Sequence, residues 1–264
     1  MTGLGGARTI VLAVIALVVG LVPQTVVGQE EAVAAPPAGY YDAVEGLSGA
    51  ALKDALHDII DDHTRLSYAQ VWDALKVTDQ DPANAANVLL LYSGASRSKT
   101  LNGGDVGDWN REHVWPQSRG GFGTAAGPGT DLHHLRPEDV QVNGTRGNKD
   151  FDLGGSTVSG CSACRTDGDS FEPSASARGD VARMIMYMAV RYEGDDAFAD
   201  LEANDSTTNG STPRVGRISV LLQWHEQDPP SAFERRRNDL IDTRYQGNRN
   251  PFIDRPEYAR AVFG

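Results

Sequence analysis

Glu112 and His113 are adjacent in the segment Trp109-Asn110-Arg111-Glu112-His113-Val114-Trp115-Pro116, and Asn143 follows further along the chain. A neutral imidazole can take a proton from water near neutral pH. A carboxylate and a side-chain amide oxygen are hard donors. With waters and a phosphate oxygen they complete an octahedral Mg²⁺ shell, which asks for few protein ligands. A cation held that way polarises a phosphoryl group and stabilises the departing oxygen. Taken singly, Glu112 and His113 read as surface strand residues and Asn143 as a helix cap. Taken together, in this order, they read as a site for phosphodiester hydrolysis.

For the three to converge, the chain between them must fold back. Trp109 to Pro116 predicts a strand ended by proline, and Gln117–Thr130 a Gly-rich loop. Asp131-Leu132-His133-His134-Leu135-Arg136-Pro137 predicts a second strand, Glu138–Asn143 the start of a helix, and Gly144–Lys149 its end. Strand neighbours point to opposite faces, but at a bent strand end both Glu112 and His113 can reach one site. His133 and His134 should face opposite ways, one inward and one toward the cleft, and neither is assigned as a ligand.

The remainder supplies the scaffold. Ser48 and Ser67 (or Tyr68) open two helices carrying Leu52, Leu56, Ile59 and Ile60, then Val71, Trp72 and Leu75, at helical spacing. Asp81-Pro82 stops the second, and Val88–Ser93 predicts a strand. His57 and His63 do not fall on one helix face and read as surface histidines. Gly94–Gly168 is poor in periodic apolar residues and reads as loops on a small scaffold. Helices are expected again over Gly179–Tyr192, Ile218–Trp224 and Ala232–Tyr245. Cys161 and Cys164 are the two cysteines, too few for a tetrahedral zinc site, and a local disulfide is expected. Arg178-Gly179-Asp180 reads as a helix start, and Trp109, Trp115 and Trp224 as core or rim residues before base-stacking ones.

The 264 residues carry 24 Lys+Arg against 36 Asp+Glu, a net charge of −12. No basic coat for packaging nucleic acid is present. Arg8 followed by the apolar run Ile10–Val22 reads as a secretory leader, too short for a bilayer span of about 20 residues. Its boundary is placed at 28, or as late as 34, and 29–39 reads as a Pro/Ala tether. The mature body, 40–264, is expected outside the cytoplasm.

The stretches WNREHVWPQS, DLHHLRPEDVQVNGTRGNKDF, FEPSASARGDVARMIMYM and GNRNPFID resemble the endonuclease I family of secreted and periplasmic nucleases, within the His-Me finger (ββα-metal) superfamily. The resemblance covers roughly Asn87 to Asp254. It implies an α+β fold, with a ββα-metal finger packed against several helices in a single domain. It matches His113 to the general base and Glu112 and Asn143 to the Mg²⁺ ligands, with Ca²⁺ or Mn²⁺ as substitutes. The implied activity is secreted, sequence-nonspecific cleavage of DNA, and of RNA too, to 5′-phosphate ends by a monomer without stable protein partners. Family members often carry a phosphate-contacting arginine in the loop after the base, where this chain offers Arg119. Glu172 falls in a family-like segment as a substrate or supporting contact. Arg249, in Asn248-Arg249-Asn250-Pro251-Phe252, is a candidate phosphate contact, with a turn held by the Asn side chains as the competing reading. Cleavage should rise with pH through a histidine titration between about pH 5 and 8. Two rival readings differ in class: a zinc-stapled HNH nuclease, disfavoured by the two cysteines, and a non-catalytic DNA-binding or adhesion module, disfavoured by the joint presence of Glu112, His113 and Asn143.

Overall fold

Two serines start the helical scaffold. Ser48 is the N-cap of α1 (Gly49–Ile60). Ser67 forms a reciprocal capping box with Gln70 at the start of α2 (Tyr68–Thr78), satisfying two otherwise orphaned N–H groups. In the computed structural model, residues 1–3 and 35–264 are described. Residues 4–28 of the expected leader and 29–34 of the tether fall outside them. The described residues 35–264 form one compact unit.

Three short strands, β1 (Gln80–Asp81), β2 (Asn84–Leu89) and β3 (Ser96–Ser98), make an antiparallel sheet. The predicted strand over Val88–Ser93 is shifted: past Leu89 the chain leaves the sheet and docks elsewhere, Leu91 N–H donating to the Pro137 carbonyl. β4 (Trp109–His113) then pairs antiparallel with β5 (Leu135–Asp139), and α3 (Val140–Arg146) follows directly. Pro137 lies inside β5 opposite Arg111 rather than ending it. A proline is tolerated there because β5 has only β4 as a strand neighbour. Asp139 is the hinge between strand and helix, its carboxylate accepting from the N–H groups of Gln141 and Val142.

A four-stranded sheet follows, in the order β6 (Asp150–Phe151), β9 (Ser170–Glu172), β8 (Cys161–Thr166), β7 (Ser156–Val158). Cys161 and Cys164 are joined as expected, their Cα atoms 5.3 Å apart. α4 (Arg178–Arg191) is buried from Gly179 to Arg191, so the RGD tripeptide lies in a core helix. A two-stranded pairing, β10 (Glu202–Ala203) with β11 (Arg214–Val215), precedes α5 (Ile218–Gln227), α6 (Ala232–Ile241), α7 (Pro251–Asp254) and α8 (Tyr258–Phe263). No helix among the described residues is long and apolar enough to cross a membrane.

Two apolar clusters meet at the β4–β5 hairpin. The larger gathers α1, α4, α5 and α8 with Val114, Trp115 and Val142. The smaller joins Val71, Leu75, Val88, Trp109, Leu135 and Ile241. Trp109, Trp115 and Trp224 are all buried, which removes them as stacking surfaces for bases. His57 and His63 are also buried, not surface residues. The His57 ring bonds the Val190 carbonyl and Asp195, and His63 Nδ1 accepts from Arg191 Nε at 2.9 Å. His57, in the last turn of α1, and His63, just beyond it, are both covered by the C-terminal end of α4.

Candidate active site

β4 ends in Arg111-Glu112-His113, and all three residues line one cavity of about 240 Å³ together with Asn143, Tyr68, Gln117 and Asn148. Glu112, His113 and Asn143 are thus brought together, two from the end of a strand and one from the middle of α3.

The strand end is held by Arg146, from the last turn of α3. Its Nη1 donates to Glu112 Oε1 at 3.0 Å and to the His113 carbonyl at 2.8 Å, and its Nη2 to the Val114 carbonyl at 2.6 Å. Tyr92 O–H donates to the same Glu112 oxygen at 2.5 Å. Tyr92 is seated there because its own N–H donates to Glu138 on β5 at 2.6 Å. Burial pushes the Glu112 carboxyl above the ordinary range, against the pull of Arg146 and Tyr92.

The His113 ring is buried. Its Nε2 lies 3.1 Å from the Gly129 carbonyl, an acceptor only, so Nε2 carries the proton and Nδ1 is the basic nitrogen. The Gln117 amide nitrogen lies 3.3 Å from Nδ1 and 3.0 Å from Nε2. A Cβ at Gly129 would collide with the Gly123 carbonyl, and one at Gly127 with the Phe198 ring. These two glycines let the long loop close down over the imidazole. Burial, followed by the nearby His134 ring, lowers the His113 pKa to about 3. The imidazole is therefore neutral throughout the physiological range, and its protonation falls below the pH 5–8 window expected from sequence.

Asn143 Nδ2 donates to Asn110 Oδ1 at 2.8 Å, which leaves its amide oxygen as the end available to the cavity. Among the described residues no group of three or more His, Cys, Asp or Glu side chains is arranged to hold a metal ion. A cation here would rest on Glu112, the Asn143 oxygen and water, a donor set that suits Mg²⁺ and not a thiolate- or imidazole-seeking metal.

The other three candidates are not brought to this cavity. Arg119 is buried, its guanidinium donating to Asp150 Oδ1 (2.5 Å), the Asn148 carbonyl (2.6 Å) and the Arg214 carbonyl (2.9 Å). It braces the loop and presents no donor to a phosphate. Arg249 is enclosed by Asp254 and Asp239, each at 2.7 Å, and Asp242 at 3.3 Å, which hold its pKa well above the usual value. The competing reading of that turn holds: Asn248 Nδ2 donates to the Ile60 carbonyl and Tyr187 Oη, and Asn250 caps α7. Glu172 pairs with Arg178 and accepts from Gly154 N–H at 2.8 Å. His133 and His134 are both buried, so neither lines the cleft. His134 Nδ1 accepts from Trp115 N–H, and its Nε2 bonds the Pro128 carbonyl at 2.7 Å. Tyr92, Arg146, Gly129 and Arg111 were missed from sequence. Only Arg111 had a local signal, since it shares a strand face with His113.

A family model described as Endonuclease I matches residues 48–257. Two similar proteins are named extracellular ribonuclease. The one from Bacillus amyloliquefaciens is 60% identical over 92% of this chain and 84% of its own length. The one from Bacillus subtilis (strain 168) is 60% identical over 85% of this chain and 78% of its own length. The quoted motifs, the cavity and these matches agree: the chain belongs to the endonuclease I family and is a nuclease, a hydrolase of phosphodiester bonds.

Proposed function

We propose that this chain is a secreted, Mg²⁺-dependent endonuclease that cuts RNA and DNA without sequence preference, leaving 5′-phosphate ends. The observation that carries the reading is the convergence of Glu112, His113 and Asn143 on one cavity. Both Bacillus relatives are named extracellular ribonuclease, which supports export and the inclusion of RNA in this reading. In this reading β4, β5 and α3 are the ββα-metal finger.

His113 Nδ1 accepts the proton of the attacking water, and the Gly129 carbonyl holds the tautomer that makes this possible. Arg146 keeps the strand end bent so that Glu112 and His113 face one space. Glu112 and Asn143 would hold Mg²⁺, with Mn²⁺ or Ca²⁺ as substitutes, and the bound ion would supply charge to polarise the phosphoryl group and stabilise the leaving 3′-oxygen. Contacts confined to phosphates carry no base information, and a site that does not sense the 2′-hydroxyl accepts both nucleic acids.

The test uses the mature protein with plasmid DNA and with RNA, in Mg²⁺, in EDTA, and as His113→Ala. Both substrates should be cut in Mg²⁺ and neither in EDTA. His113→Ala should lose about 10²–10⁴-fold in rate with unchanged thermal unfolding. Intact substrate in every lane would favour a binding module. Cleavage that survives both EDTA and His113→Ala would overturn the mechanism.

A further inference from the structure

Arg111 is the one arginine or lysine among the described residues lining the cavity. Its guanidinium is stacked, not ion-paired: Cζ lies 3.3 Å from the centre of the Tyr68 ring and 4.1 Å from that of Trp72. Both rings stand on α2, and Trp72 packs edge-on against buried Trp109 at 5.2 Å. Nη1 donates to the Tyr68 carbonyl at 2.6 Å. Among the described residues no carboxylate pairs with Arg111, and neither Nε nor Nη2 has a protein partner. A guanidinium stacked on aromatic faces keeps its in-plane N–H groups directed outward and loses little freedom when it binds an oxyanion. Strand alternation puts it on the same face as His113.

The geometry points to Arg111 as the substrate-positioning arginine, binding a non-bridging oxygen of the phosphate under attack, with Tyr68 and Trp72 as the platform that holds it. This rests on the reading that the cavity beside His113 is where the linkage is cut. Such a contact supplies charge complementarity that an otherwise acidic protein (net −12) lacks, and it reads no base.

The decisive comparison is oligonucleotide binding in a His113→Ala background in EDTA, where cleavage cannot interfere, as a function of salt. Arg111→Gln should weaken binding of a single-stranded oligonucleotide about ten- to hundredfold and reduce the slope of log K against log salt by about 0.7, the loss of one phosphate contact. Arg111→Lys should keep the slope. In the otherwise wild-type protein, Arg111→Gln should lower kcat/KM by a similar factor. A second measurement needs no neutral variant: the Nε–H resonance of Arg111, identified by its absence in Arg111→Lys, should shift when a 5′-mononucleotide is added in EDTA. Unchanged affinity and slope in Arg111→Gln, or an unmoved resonance, would overturn the assignment even if His113→Ala behaves as the general base requires. If His113→Ala cleaves normally, the underlying reading fails instead.

Discussion

Around α4 the guanidinium groups are enclosed by carboxylates, whereas in the cavity beside β4 a guanidinium is stacked on aromatic rings with donors left over. Arg183 bonds both oxygens of Glu234 at 2.7 Å, and Arg237 reaches Asp79 at 3.2 Å and two backbone carbonyls. Arg249 sits among three aspartates. A charge removed from water needs a partner and its remaining N–H groups satisfied, and once satisfied it has nothing left to offer a ligand. Arg111 sits at the cavity with part of its donor set unused. The difference separates arginines that hold the fold from one equipped to hold a substrate, though the residue type is the same.

The strongest way to break this comparison is on the saturated side. Arg249→Met should lower the free energy of unfolding by about 3–5 kcal/mol, because it removes a buried cation and leaves three partly buried carboxylates facing one another uncompensated. Activity per folded molecule should be unchanged. Urea unfolding together with kcat measured at low temperature checks both. A variant of full stability with impaired cleavage would return Arg249 to the list of substrate contacts.

His134 lies at the border between the two regions, its ring 5.6 Å from that of His113. Burial holds its pKa at about 4, while the unfolded imidazole protonates near 6.5. Between those values the unfolded chain binds the extra proton. The contribution of His134 is therefore complete above about pH 6.5 and drains as pH falls toward 4, by about 3 kcal/mol in all. His134→Gln lacks that loss, so its stability deficit should be largest at pH 7 and shrink by pH 4.5. A deficit independent of pH would mean that His134 titrates normally in the folded protein.

The smallest effect is expected from the disulfide. Both sulfurs lie within 3.6 Å of the Tyr92 carbonyl, and Tyr92 bonds Glu112. The bridge closes a very short loop, so replacing both cysteines with serine should lower stability by about 2 kcal/mol on loop-entropy grounds. Cleavage at 25 °C should fall only slightly. A large loss of cleavage with modest loss of stability would show that the cavity depends on this buried support more than on its own hairpin.

Features written in neighbouring residues or in a repeating period were legible before any coordinates. Glu112 beside His113, the strand–loop–strand–helix order ending near Asn143, the C-x₂-C bridge and the helix over α4 are of this kind, because adjacency, 3.6-residue spacing and capping chemistry act over a few residues. Which arginine meets an aspartate is decided by how the chain folds around it: Arg249 is saturated by Asp239, Asp242 and Asp254, near in sequence but gathered round it only by the turn between α6 and α7, and Arg119 by the distant Asp150 and Arg214 carbonyl. The chain order shows a charge but not its surroundings. The same holds for His113, whose depressed pKa comes from burial beneath a loop and beside His134, and for Tyr92 and Arg146, which reach Glu112 only after the hairpin has closed. Desolvation and charge pairing depend on distance in space, and those distances exist only once the core has packed.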